Sequence, residues 1–91
     1  MLNEDCQRLF NEFVPMARRY LQSPGIMAAL ELDKVCMHLY PAIARERQDQ
    51  DLSNMIRDFG RGLPRKESSE LAVLLDAILR QAQASGLTVP E

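Results

Sequence analysis

A chain of 91 residues with 46% apolar residues, 26% charged residues and a formal net charge of −2 fits one small globular domain, too apolar and too nearly neutral for a disordered segment. No run approaches the about 20 apolar residues a transmembrane helix needs. The opening Met1-Leu2-Asn3-Glu4-Asp5 lacks the basic start of a secretory signal, so a cytoplasmic protein without membrane contact is expected. Leucine (13) and alanine (9) dominate, aromatics are 5% and tryptophan is absent. Straight-chain side chains and alanine lose little freedom in a helix. The expected fold is therefore all-α: a single helical domain over 1–91, built from four or five helices, two of them long and proline-kinked.

Asn3 reads as the N-cap of a first helix, with Glu4 and Asp5 at its positive end. From Cys6, the residues Leu9, Phe10, Phe13, Met16, Ala17, Tyr20 and Leu21 recur at three- and four-residue spacing and, with Val14, cover an arc of roughly 160°. Pro15 lies near the middle of the polar arc, where its missing N–H faces water, so a bend is expected there rather than a stop. Ser23-Pro24-Gly25 ends this helix and opens the next, with Ser23 as cap and Pro24 at the first helical position.

The second helix carries two stripes. Ala28, Leu32, Val35, Cys36, Leu39 and Ile43 form one; Ile26, Leu30, Met37 and Ala44 form another beside it, with Asp33 between. Two stripes imply cover on more than one side. Asp33 either caps a new helix or sits at a contact edge, and Pro41 marks another kink or boundary. The pattern Phe13-Val14-Pro15-Met16-Ala17 is matched by Leu39-Tyr40-Pro41-Ala42-Ile43, a single correspondence too slight to define a repeat.

Arg45 to Asp51 has no apolar member and reads as an exposed helix end running into a turn. Asp51 then caps a short helix buried through Leu52, Met55, Ile56 and Phe59, with Gly60 as its stop. After the loop Gly60-Arg61-Gly62-Leu63-Pro64, a last helix starts near Pro64 or at Ser68/Ser69 and runs to about Ser85, with Gly86 as terminator and 87–91 as a frayed tail. Leu71, Leu74, Leu75, Ile78, Leu79 and Ala82 cover a wide arc of this helix, with Val73, Ala77 and Ala84 opposite. A helix apolar nearly all round is a buried helix, and a small domain seldom covers its terminal helix unaided. A second molecule is the simplest cover, so a homodimer using the second helix, the last helix or both is expected.

Catalytic and metal signatures are weak. Cys6 and Cys36 stand in no Cys-x-x-Cys pattern and both fall on apolar faces, where free cysteine acts as a small hydrophobe. With His38 they make three zinc-ligand candidates, one short of a structural site. Cys36 and His38, two apart, point about 160° away from each other on a helix and cannot form a nucleophile–base pair. Glu4/Asp5, Glu31/Asp33, Asp49/Asp51 and Glu67/Glu70 each have a cap, first-turn or solvated-face explanation, and Asp49-Gln50-Asp51 lacks the glycine and closing glutamate of a calcium loop. Asp58-Phe59-Gly60 spells the kinase metal-binding tripeptide, but the chain has neither the glycine-rich loop nor the catalytic loop to go with it. No enzyme, no cofactor and no metal is expected.

The one local excess of positive charge is Arg57, Arg61, Arg65 and Lys66, a candidate anion or nucleic-acid contact, with Asp58 and Glu67 offsetting part of it. Elsewhere the signs alternate: residues 1–45 carry five acids and five bases. A helix-turn-helix layout can be traced from Asp51 onward, but the would-be recognition helix keeps few polar side chains to read bases. Met16, Met27, Met37 and Met55 supply flexible thioethers suited to adaptable contacts.

By elimination the leading expectation is a small cytoplasmic regulator or adaptor, of a bacterial kind, that binds another protein through apolar helix faces; an anti-activator blocking a transcription factor's interface is one example. Leu74, Ile78 and Leu79 are the candidate anchors, supported by Met37 and Tyr40. The alternatives are a small helical nucleic-acid-binding regulator using Arg57–Lys66, and a helical chaperone of the secretion type.

Overall fold

The computed structural model describes residues 5–90 as four helices: α1 (Asp5–Gln22), α2 (Ile26–Glu46), α3 (Gln50–Gly62) and α4 (Ser68–Ala84). The backbones meet in cyclic order, α1 against α2, α2 against α3, α3 against α4 and α4 against α1. The resulting radius of gyration is 12.1 Å, close to the about 12 Å of a compact chain this long. The N-cap reading of Asn3 lies outside the described residues.

In α1 the buried side chains are Cys6, Phe10, Phe13, Val14, Ala17 and Tyr20, the stripe its periodicity predicts. Pro15 lies within the helix on the exposed side, where losing one backbone donor costs least. Phe13 holds the core together at its centre: its ring stacks on Phe10 at 6.1 Å and meets Phe59 of α3 edge-on at 5.5 Å. The T-shaped pair sets the positive ring edge against a negative face. Through it α1 reaches α3 across the bundle. Tyr20 closes the far end of this core, its hydroxyl donating to the Leu63 carbonyl at 2.8 Å.

The α1–α2 turn departs from expectation. Ser23 still belongs to the end of α1, its N–H donating to the Arg19 carbonyl, and Gly25, not Ser23, is the N-cap of α2. α2 then runs unbroken through both Asp33 and Pro41. It buries Ala29, Leu32, Cys36, Leu39, Ala42 and Ile43, because α1 and α3 flank it and every turn finds apolar cover. Its last residue, Glu46, accepts from the Cys6 N–H at 3.2 Å, placing a carboxylate at the positive end of α1.

The cap of α3 lies two residues before the expected Asp51. Asp49 is the N-cap, its carboxylate accepting from the Leu52 N–H at 2.9 Å; the same side chain takes hydrogen bonds from Gln81 (3.0 Å) and from the Ser85 hydroxyl of the α4 end. Gln48, just before it, adopts φ 54°, a left-handed conformation that a side chain disfavours and glycine does not.

Gly60 is not a helix stop. It lies inside α3, buried, and a Cβ there would come within 2.9 Å of both Asp33 Oδ1 and Cys36 Cβ. Hydrogen in place of a side chain is what lets α3 lie this close to α2.

α4 starts at Ser68 with a capping box: the Glu67 side chain accepts from the Glu70 N–H while the Glu70 carboxylate accepts from the Glu67 N–H. It ends as expected at Gly86, whose φ is 87°. The Gly86 N–H donates to the Gln83 carbonyl and the Leu87 N–H to the Ala82 carbonyl, the paired bonds of a Schellman motif. That turn drives Leu87 back into the core, where it is buried. The expected frayed tail is therefore corrected for residues 87–90: Thr88 exchanges two hydrogen bonds with the Gln7 amide, each 2.9 Å, and Arg18 donates to the Pro90 carbonyl at 3.1 Å. No helix among the described residues is long and apolar enough to cross a membrane.

Candidate functional site

The residues expected to form one interface fall on two separate faces. Ile78 is fully buried in the chain's own core and is corrected as a docking anchor. Leu74 and Leu79 are half-buried against the same core. α1 and α3 bury Leu71, Leu75, Ile78 and Ala82 of α4; Val73 is its one large apolar side chain left exposed. Among the described residues α4 makes no backbone approach to α2, so Leu74 and Leu79 do not share a surface with Met37 and Tyr40.

The apolar excess sits on α2. Ile26, Met27, Leu30 and Met37 are 80%, 71%, 55% and 58% exposed. Three of them belong to the second stripe legible in the sequence, and none of the described residues lies over it. α2 and α3 run antiparallel across a short turn, which sets this stripe alongside the arginines of α3. Two adjoining hollows result. The first, about 230 Å³, is lined by Ile26, Ala29, Leu30, Leu63 and Pro64, with Asp33, Arg61 and Arg65 at its edge. The second, about 180 Å³, is lined by Cys36, Met37, Tyr40 and Arg57 and shares Asp33 and Arg61 with the first. Together they make one groove with an apolar wall from α2 and a basic rim from α3 and the loop after it.

The basic rim is uneven. Arg57 is held by its neighbour Asp58 at 3.4 Å, and such an exposed pair adds at most about 1 kcal/mol. Arg61, Arg65 and Lys66 are exposed and enter no ion pair among the described residues. The Lys66 methylenes lie over the Gly62 backbone, which keeps the ammonium at the surface. The sequence left out Ile26, Leu30 and Asp33 as site residues. Their stripe was visible, but the neighbour that turns the stripe into a groove was not.

Among the described residues, neither cysteine is activated as a nucleophile. Burial pushes the Cys36 thiol up to about 12, with the Asp33 charge adding to it. Burial likewise raises the Cys6 thiol. Both are buried and free, the opposite of an activated nucleophile. His38 is exposed, and among the described residues no group of three His, Cys, Asp or Glu side chains is placed to hold a metal ion. Compared with known proteins, the chain matches no family model, and no curated protein or solved structure matches it significantly.

Proposed function

We propose that this chain is a small cytoplasmic regulator or adaptor that works by binding another protein through the exposed face of α2, holding or blocking the surface it covers. The observation that supports this is the set Ile26, Met27, Leu30 and Met37, all more than half exposed on a helix whose opposite side is packed. Burying side chains of this size gives about 1.5–3 kcal/mol each when complete, so four partly exposed ones offer about 4–8 kcal/mol. Association itself costs about 4–15 kcal/mol. Apolar contact alone then makes a weak complex, and polar contacts along the groove rim decide which partner is kept. A partner that uses the same surface to bind DNA or to self-associate would be silenced by occupancy, the action of an anti-activator.

The test is tagged purification from the source cell with nuclease present, comparing the native chain with Leu30→Asp. Leu30 points outward, so the variant should fold normally by circular dichroism. A stoichiometric protein that survives nuclease and is lost with Leu30→Asp supports the reading. Capture unchanged by the variant, or a partner that leaves with nucleic acid, refutes it.

A second reading, nucleic-acid binding, draws on the unpaired charges of Arg61, Arg65 and Lys66. It requires a binding constant that falls steeply with salt, and a flat salt response eliminates it.

A further inference from the structure

We infer that the groove between α2 and α3 receives an amphipathic helix of a partner protein whose flank toward α3 is acidic. The inference rests on the protein-binding reading above and names the chemistry of what binds there. Its support is the juxtaposition of two linear features. Ile26, Leu30 and Met37 run along one wall over eleven residue steps, about 16 Å of helix at 1.5 Å per step, the length of three turns of a partner helix. On the opposite rim, Arg61 lies one turn beyond Arg57, with Arg65 following it toward the Ile26 end. A helix laid in such a groove presents apolar residues at three- and four-residue spacing to the floor and one polar flank to the rim. Arg61 and Arg65 are exposed and enter no ion pair among the described residues, so carboxylates on that flank gain charge-assisted contacts without breaking existing ones,.

The groove also argues against its other occupants. A nucleic acid would set phosphates against the rim but leave Ile26, Leu30 and Met37 facing water. A basic helix would gain the apolar contact and meet Arg61 and Arg65 with like charge, which complementary interfaces avoid. Asp33, half-buried between the two hollows, is the one acidic group among the described residues on the floor, and a partner hydroxyl or amide donor at the helix centre would satisfy it.

The test uses the whole chain and three fluorescent peptides of about four helical turns: a leucine/glutamate amphipathic helix, its leucine/lysine counterpart, and a scrambled leucine/glutamate sequence. Anisotropy should show the leucine/glutamate helix binding at least about ten-fold more tightly than either other peptide and weakening with added salt. The double variant Arg61→Glu/Arg65→Glu, both at exposed positions, should reverse the preference between the acidic and basic helices, while Leu30→Asp should weaken both. An unchanged preference in the double variant overturns the inference. So does displacement of the acidic helix by a duplex oligonucleotide, or a dimer in sedimentation that Leu30→Asp dissociates, since a second copy would then fill the groove. Capture lost with Leu30→Asp but kept by the charge-reversed variant would leave protein binding standing and refute the acidic flank alone.

Discussion

Replacing Gly60 by alanine opposes two effects of known sign. In an exposed helix interior the change stabilises by about 0.5–1 kcal/mol, because glycine loses more backbone freedom on folding. At Gly60 the new methyl would stand 2.9 Å from Cys36 Cβ and from Asp33 Oδ1. The Asp33 carboxylate can rotate away; the Cys36 Cβ is fixed to the α2 backbone and can only move with it. α2 and α3 must part, and Phe59, next in the chain and wholly buried against Phe13, is drawn with them. Overpacking of this kind costs about 1–3 kcal/mol, leaving a net loss of up to about 2.5 kcal/mol. Gly62 is the internal control. The three atoms its added methyl would meet first are the Lys66 Cγ, Cδ and Cε at 3.0–3.3 Å, on a chain free to swing into water, so Gly62→Ala should be neutral or gain up to about 0.5 kcal/mol. Urea unfolding followed by far-UV circular dichroism separates the two through their midpoints at constant slope. If Gly60→Ala proved as stable as Gly62→Ala, the close α2–α3 approach would not be what Gly60 provides.

Asp49→Ala should cost about 1–2 kcal/mol, the loss of an N-cap that also ties α4 to the α2–α3 turn. Burial raises the Asp49 carboxyl, but hydrogen bonds from Ser85, the Leu52 N–H, Gln81 and the Asp51 N–H outweigh it and hold the group below the usual carboxylate range. Its stabilising contribution is therefore complete above about pH 4, the unfolded value, and disappears as pH falls through the lowered folded value; an Asp49→Asn variant whose acid unfolding curve matched the native one would contradict this. Leu87→Ala should lose about 2 kcal/mol in the same urea assay, whereas a frayed tail would show no change. Gln48→Gly should gain about 0.5–1 kcal/mol by relieving the left-handed backbone, and a loss of stability there would contradict the observed φ.

What could be read from the chain alone was much of what depends on neighbours within one or two turns. The 3.6-residue period placed the buried face of α1 and both stripes of α2, and the glycine stop at Gly86 was legible because a left-handed C-terminal turn is a local event. Acidic caps were legible in kind but not to the residue: Asp49 and Asp51 are equally good candidates until Gln81 and Ser85 arrive to bind one of them. Pro41 read as a kink or boundary and Asp33 as a cap or a contact edge, because helix breaking is judged locally; α2, packed against both α1 and α3, runs through both. Gly60 and Gly86 are the same letter after an apolar stretch, yet one ends a helix and the other admits a neighbouring helix, and only the approach of Cys36 distinguishes them. Periodicity likewise shows which face of a helix is apolar but carries no record of what will cover it. So Ile78 went to the chain's own core, Leu87 was recovered from an expected loose tail, and the stripe at Ile26, Leu30 and Met37 remained exposed. Its alignment with Arg57, Arg61 and Arg65, some thirty residues away in the chain, exists only because α2 and α3 fold back on each other, and contacts between distant segments are what a one-dimensional pattern does not contain.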